Sequence, residues 1–220
     1  MNQVTDQQII EILRKEAVPA LGCTEPVACA LACAKCKEVL GGVPERLDVL
    51  VSGNIYKNGM GVGIPGTGMV GLPIAAALGA VCGKSEYGLE VLKEVNVGDN
   101  LQRAKDMLGQ VTVSLKEDAP DKLYAEALAT KGNDRVKVII AHTHTNIVLV
   151  EKNGEEIFKR EFRLDTSKPE DKGPELSVKR IWDFVHEVDV KDIEFVLQGA
   201  EMNKAISAEG LNSEYGLQIG

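Results

Sequence analysis

The chain has 220 residues, 44% of them apolar and 26% charged, enough to bury a core and ordinary for a soluble globular protein. Its net charge of −8, with no basic stretch to offset it, argues against a nucleic-acid or anionic-membrane surface. MNQVTDQQII lacks the basic and apolar regions of a secretory signal, and no apolar run reaches the roughly 18 residues that span a bilayer, so a cytoplasmic protein with reduced or metal-bound cysteines is expected.

Thr5-Asp6-Gln7-Gln8 has the form of a capping box, and Ile9, Ile10, Leu13 and Ala17 follow at helical spacing until Pro19 ends the helix. Thr24 or Glu25 is expected to cap the next helix, with Pro26 in its first turn. VACALACAKCKEVL (27–40) is apolar on every face up to Lys35 and stops at Gly41-Gly42, the pattern of a buried helix. RLDVLVS (46–52) reads as a strand and SGNIYKNGMGVGIPGTGM (52–69) as a long glycine-rich loop. LPIAAALGAVCG (72–83) is a second small-residue helix, and EYGLEVLKEV (86–95) a third.

From about residue 111 the pattern changes. VTVSL, LYAEALAT, RVKVIIAH and TNIVLVEK are β-type runs separated by turn residues, and Asn153-Gly154 is a type I′ hairpin signal. TSKPEDKGPE (166–175) is a polar loop, followed by the helix SVKRIWDFVHEV and a longer one from near Asp189. SEYGL occurs at 85–89 and again at 213–217, which reads as a recurring helix-terminal turn. The fold class expected is α+β, an antiparallel meander of about four strands packed with Ala/Gly-rich helices. Residues 1–110 form the helical and glycine-rich region, and residues 111–220 the region with the meander and two closing helices, either as two parts or as one continuous domain.

Three cysteines, Cys29, Cys33 and Cys36, have the C-x3-C-x2-C spacing of a radical S-adenosylmethionine cluster site. They fall at i, i+4 and i+7 of a helical run, however, which is one stripe of a buried helix. Cys23 sits instead just before a helix start, where free N–H groups and the dipole favour a thiolate as nucleophile or metal ligand. Gly61, Gly63 and Gly66 spell GxGxxG, but the preceding strand ends too early for a dinucleotide site. That loop could still offer N–H groups to a carboxylate or phosphate, with Ser52, Asn54, Lys57, Asn58 and Thr67 around it. His142 and His144, read as strand residues, would share a face like a metal pair without a third ligand; His186 reads as a surface residue.

PALGCTEP (19–26), SGNIYKNGMGVGIPGTGMVGLPIAAALGA (52–80) and HTNI (144–147) together resemble the L-cysteine desulfidases, relatives of the α chain of iron–sulfur L-serine dehydratases. The resemblance implies an N-terminal half of a longer protein, and the chain's last residues, YGLQIG, suggest continuation. It also implies a [4Fe-4S] cluster held by three cysteines. Cys23 would be one ligand, with the other two outside this chain. The implied reaction is β-elimination of L-cysteine to hydrogen sulfide, pyruvate and ammonia. In it Lys57 or His144 is the candidate base, and Glu25 pairs with the substrate ammonium. Thr24, Ser52, Asn54, Asn58, Gly66, Thr67 and Asn146 are the candidate substrate contacts. The expected partner is a small amino acid, with a homodimer as candidate assembly and neither nucleic acid nor membrane. The alternatives are an L-serine dehydratase, which releases water instead, and a non-catalytic small-molecule-binding domain.

Overall fold

The computed structural model describes residues 4–160 and 176–212. The chain divides into two units, Ala20–Asp165 and Met1–Pro19 with Thr166–Gly220. The polar loop at 166–175 and the second SEYGL at 213–217 lie outside the described residues.

In the larger unit, helix α2 (Thr24–Leu40) is the spine, buried on all sides from Pro26 to Ala34 and stopped by Gly41 at φ 72°. Alanine and cysteine leave its surface smooth enough for backbones to approach closely. Against it packs α4 (Leu72–Val81), where a β-carbon on Gly79 would lie only 2.2 Å from the Ala30 carbonyl oxygen. Cys36 reaches across to the sheet, its thiol donating to the Ala127 carbonyl at 3.5 Å. The largest side chains of this core, Leu31, Leu47, Leu72 and Leu78, are almost wholly removed from water. Truncating any one to alanine would cost about 2–5 kcal/mol.

The fold is α+β, as expected, but its sheet is larger and differently ordered than a four-strand meander. β1 (Arg46–Val51), β4 (Val111–Leu115), β5 (Tyr124–Lys131), β6 (Asp134–Ala141), β7 (Ile147–Lys152) and β8 (Glu155–Lys159) run in the order β4-β1-β5-β6-β7-β8. β5 to β8 form the antiparallel meander, with Asn153 at φ 54° and Gly154 at φ 89° closing its last hairpin. VTVSL is not its first strand. It lies parallel to β1 at the sheet edge, so β1, from before position 110, has both of its partners after it. A parallel pair needs a long crossover, and residues 52–110 provide it.

That crossover is more ordered than a glycine loop. Ser52 caps a short helix, α3 (Gly53–Gly59), and a two-strand hairpin follows, β2 (Gly63–Ile64) with β3 (Met69–Val70). EYGLEVLKEV is not a regular helix: it forms a 3-10 segment, Ser85–Glu90, broken at Gly88 (φ 53°), and then turns. The helix of this region is α5 (Asn100–Met107), which the sequence reading missed because only Ala104 and Met107 are buried along its polar length.

The smaller unit starts with α1 (Asp6–Glu16), whose Thr5/Gln8 capping box forms as read: the Gln8 amide N–H donates to Thr5 Oγ1, and the Thr5 N–H to Gln8 Oε1. α6 (Val178–Glu187) packs Phe184 against Val4, Ile9 and Ile10. Its buried Arg180 donates to the Val4 carbonyl at 2.6 Å and pairs with Asp6, so the charge is not left unpaired. The long last helix of the sequence reading is two pieces, α7 (Val190–Ile193) and α8 (Val196–Asn212). No described helix is long and apolar enough to cross a membrane.

Candidate active site around Cys23

Cys23, not Thr24 or Glu25, is the N-cap of α2 (φ −70°, ψ 138°), and its side chain makes no capping bond to the backbone. The thiol turns instead to Glu25, donating to Oε2 at 2.7 Å. The turn before it depends on Gly22, at φ 82°, where a β-carbon would press within 3.1 Å of Pro65. PALG and GIPG, 40-odd residues apart in sequence, are therefore in contact by way of a residue that has to be glycine.

Three segments meet at Glu25. Its other oxygen, Oε1, accepts from Asn58 Nδ2 of α3 at 3.0 Å, and Thr24 Oγ1 lies 3.5 Å from Oε2. Thr24 Oγ1 is also 3.2 Å from His144 Nε2, in the turn after β6. Cys23, Thr24, Glu25 and His144 are all half-buried, with Asn58 exposed at the rim. Burial works to raise the Glu25 carboxyl, but hydrogen bonds from Cys23 and Asn58 outweigh it and hold the group below the usual glutamate range. Burial pushes His144 down, partly opposed by the Glu25 charge, which favours a neutral imidazole able to accept a proton.

The expected low-pKa thiolate is not what this geometry makes. Burial pushes the Cys23 thiol up, and the hydrogen bond to the Glu25 carboxylate adds to it. A full negative charge 2.7 Å away outweighs the partial charge of a helix end. Cys23 thus rests as a thiol with a carboxylate in place to take its proton. The other four cysteines are buried. Burial lifts Cys29 to about 12 and Cys33 and Cys36 well above the thiol range, so the C-x3-C-x2-C triplet is helix core, as its spacing suggested.

The remaining sequence candidates divide by what holds them. Ser52 is 2% exposed and caps α3 while donating to the Lys122 carbonyl at 2.6 Å. Thr67 is buried and donates to the Ile64 carbonyl inside the β2–β3 hairpin. Asn146 closes the turn after β6, donating to the Ala141 carbonyl and accepting from Arg160. These three side chains hold the scaffold, so their polar atoms are not presented to a substrate. Lys57 and Asn54 are exposed on α3, and Gly66 sits in the hairpin turn at φ 76°. His142 and His144 are not a strand pair: β6 ends at Ala141, and His142 takes φ 70°. His142 Nδ1 lies 2.6 Å from Asp121 Oδ2, a partner no local motif signals because 21 residues separate the two. His186 is exposed on α6, its ring against Trp182.

Donors for a metal cluster are sparse. Among the described residues no group of three or more His, Cys, Asp or Glu side chains could hold a metal ion. Cys23 fits as a single ligand, at a half-open helix end with a proton acceptor beside it, while the four buried thiols cannot reach a common solvent-accessible point.

The same segments are found in longer proteins. The chain is similar to UPF0597 proteins. It is 46% identical, over 98% of its length, to one from Parabacteroides distasonis and 45% identical, over 99%, to one from Dichelobacter nodosus, each time covering 51% of the relative. With one from Bacteroides fragilis the identity is 40% over the whole chain and again 51% of the relative. The chain therefore spans about half the length of the curated relatives it matches. No family model matches it, and no solved structure does.

Proposed function

We propose that this chain is the cysteine-bearing part of an L-cysteine desulfidase-like lyase, which eliminates hydrogen sulfide from L-cysteine and leaves an enamine that hydrolyses to pyruvate and ammonia. The observation that supports it is the convergence of Cys23, Thr24, Glu25, Asn58 and His144 from the three segments that carry the resemblance. Elimination needs a base for the α-proton, a counter-charge for the ammonium, and help for the departing sulfur. His144 is the base, since its neutral imidazole can take the α-proton as the C–S bond breaks and the electron pair leaves with sulfur. Glu25 offers the counter-charge. Thr24 holds the His144 ring and Asn58 holds the carboxylate. Lys57, one residue before Asn58 but exposed, is the weaker candidate for the base.

In this reading Cys23 loses its proton by way of Glu25 to solvent, which leaves Glu25 ionised as the counter-charge, and serves as a thiolate ligand, with two further thiolates from outside this chain. A [4Fe-4S] cluster bound there would supply Lewis acidity toward substrate oxygen or sulfur. The test uses a protein carrying this chain at the full length of its relatives, loaded anaerobically with iron and sulfide and assayed for sulfide and pyruvate from L-cysteine and L-serine. Sulfide with equal pyruvate from L-cysteine is the expected result, and Cys23→Ala should lose the cluster's visible absorption. A normal cluster spectrum in Cys23→Ala would overturn the ligand role, and pyruvate from L-serine alone would reassign the leaving group to water.

A further inference from the structure

Beside the Cys23 turn lies a cleft of about 190 Å³ that the site above does not use. Its floor is apolar, with Leu21 and Pro65 from the two touching loops and the buried Leu92 and Val95 opposite. Lys93 is the one charged residue in its lining, and Asn96 the one side-chain amide. Both are placed by neighbours. The Lys93 ammonium sits 3.4 Å above the Tyr87 ring, and Asn96 lies so close to Gly66 that a β-carbon there would come within 2.5 Å of its Nδ2. The neighbouring acid, Glu94, is engaged by Lys84 at 2.7 Å and by the Tyr87 hydroxyl at 3.1 Å. The cleft thus presents one cation and one amide over a short hydrocarbon surface, with room for about six waters or their equivalent.

We propose that this cleft binds the carboxylate of a small amino acid or 2-oxo acid. Lys93 supplies the charge, Asn96 a directional hydrogen bond, and Leu21, Leu92 and Val95 the contact for a body of about three carbons. A lone phosphate would leave that apolar floor uncovered, whereas a small organic acid covers it. Leu21 is two residues from Cys23, and its N–H is tied to the Leu89 carbonyl at 3.3 Å. An acid in the cleft therefore contacts Leu21, two residues from Cys23. That the acid is the substrate or product of Cys23 chemistry rests on the lyase reading; that the cleft binds a carboxylate does not.

The experiment is an amide chemical-shift titration of the 220-residue chain with L-serine, pyruvate and, as a carboxylate-free control, L-serine methyl ester. L-serine and pyruvate should give saturable shifts at Leu21, Gly66 and Asn96, and the ester should bind about tenfold more weakly. Lys93→Met and Asn96→Leu, both at exposed positions, should each weaken the acids about tenfold and leave shifts elsewhere in the unit in place. Equal binding of ester and acid, indifference to both variants, or no saturable shift at the cleft overturns the proposal. If the shifts gather at Thr24, Asn58 and His144 instead, the cleft is wrong and the lyase reading stands. Acid binding in the cleft together with a full-length, cluster-loaded protein that eliminates nothing would sink the lyase reading and leave the cleft.

Discussion

Cys23 and Cys33 belong to one helix and differ in everything chemistry depends on. Cys33 sits in the middle of α2, wholly buried between α4 and the sheet, where burial holds its proton fast. Cys23 sits ten residues earlier, where the helix leaves the core, half-exposed and donating to a carboxylate. Cysteine is a small hydrophobe in the first setting and a proton donor or ligand in the second. Position relative to the packed layers decides the role.

The harshest way to break this comparison is to put a charge at each site. Cys33→Asp should cost about 4 kcal/mol or more, because the buried carboxyl meets only apolar neighbours, and urea unfolding should find little native protein. Cys33→Ser is milder, a buried hydroxyl costing about 1–3 kcal/mol, while Cys23→Ser should stay within about 0.5 kcal/mol by the same measurement. If the two serine variants proved equally costly, the difference between the ends of α2 would be lost.

A finer probe is thiol reactivity. With the chain native, Cys23 alone should react with a disulfide reagent, the other four reacting only after denaturant is added. Because the Glu25 carboxylate helps raise the Cys23 thiol, Glu25→Gln should lower its pKa and speed that reaction several-fold near neutral pH. A slower reaction would mean that Glu25 activates the thiol instead of holding its proton in place.

The smallest effect concerns His144. Burial lowers its folded pKa below 6.5, so the unfolded chain takes up this proton first as pH falls. Its neutral form contributes stability that is fully present above the unfolded value and lost as pH drops through the folded one. His144→Asn should therefore flatten the fall in melting temperature between about pH 7.5 and 5. An unchanged slope would remove His144 from the groups that titrate on unfolding.

Much of this was legible locally. The capping box at Thr5, the all-round apolar run of α2, the Asn153-Gly154 hairpin and the turn before Cys23 rest on interactions within a few residues, where spacing and residue type carry the information. Thr24, Glu25, Asn58 and His144 were singled out from their segments, and the structure brings them together. Ser52, Thr67 and Asn146 looked equally suitable as polar residues, yet each spends its polar atoms on a nearby backbone carbonyl. Residue type cannot distinguish a side chain that holds a turn from one that faces a ligand.

By itself, then, the sequence determined the α+β class, the caps and hairpin, and the separation of Cys23 from the cysteine stripe, all matters of periodicity and short-range hydrogen bonding. The tertiary structure decided the parallel placement of β4 beside β1, the meeting of the PALG and GIPG loops through Gly22, and the protonation of Cys23. Each of these depends on which distant segment comes within a few ångströms. Sheet order needs a partner chosen across 60-odd residues, and the thiol's proton depends on where the Glu25 side chain turns and how much water burial removes.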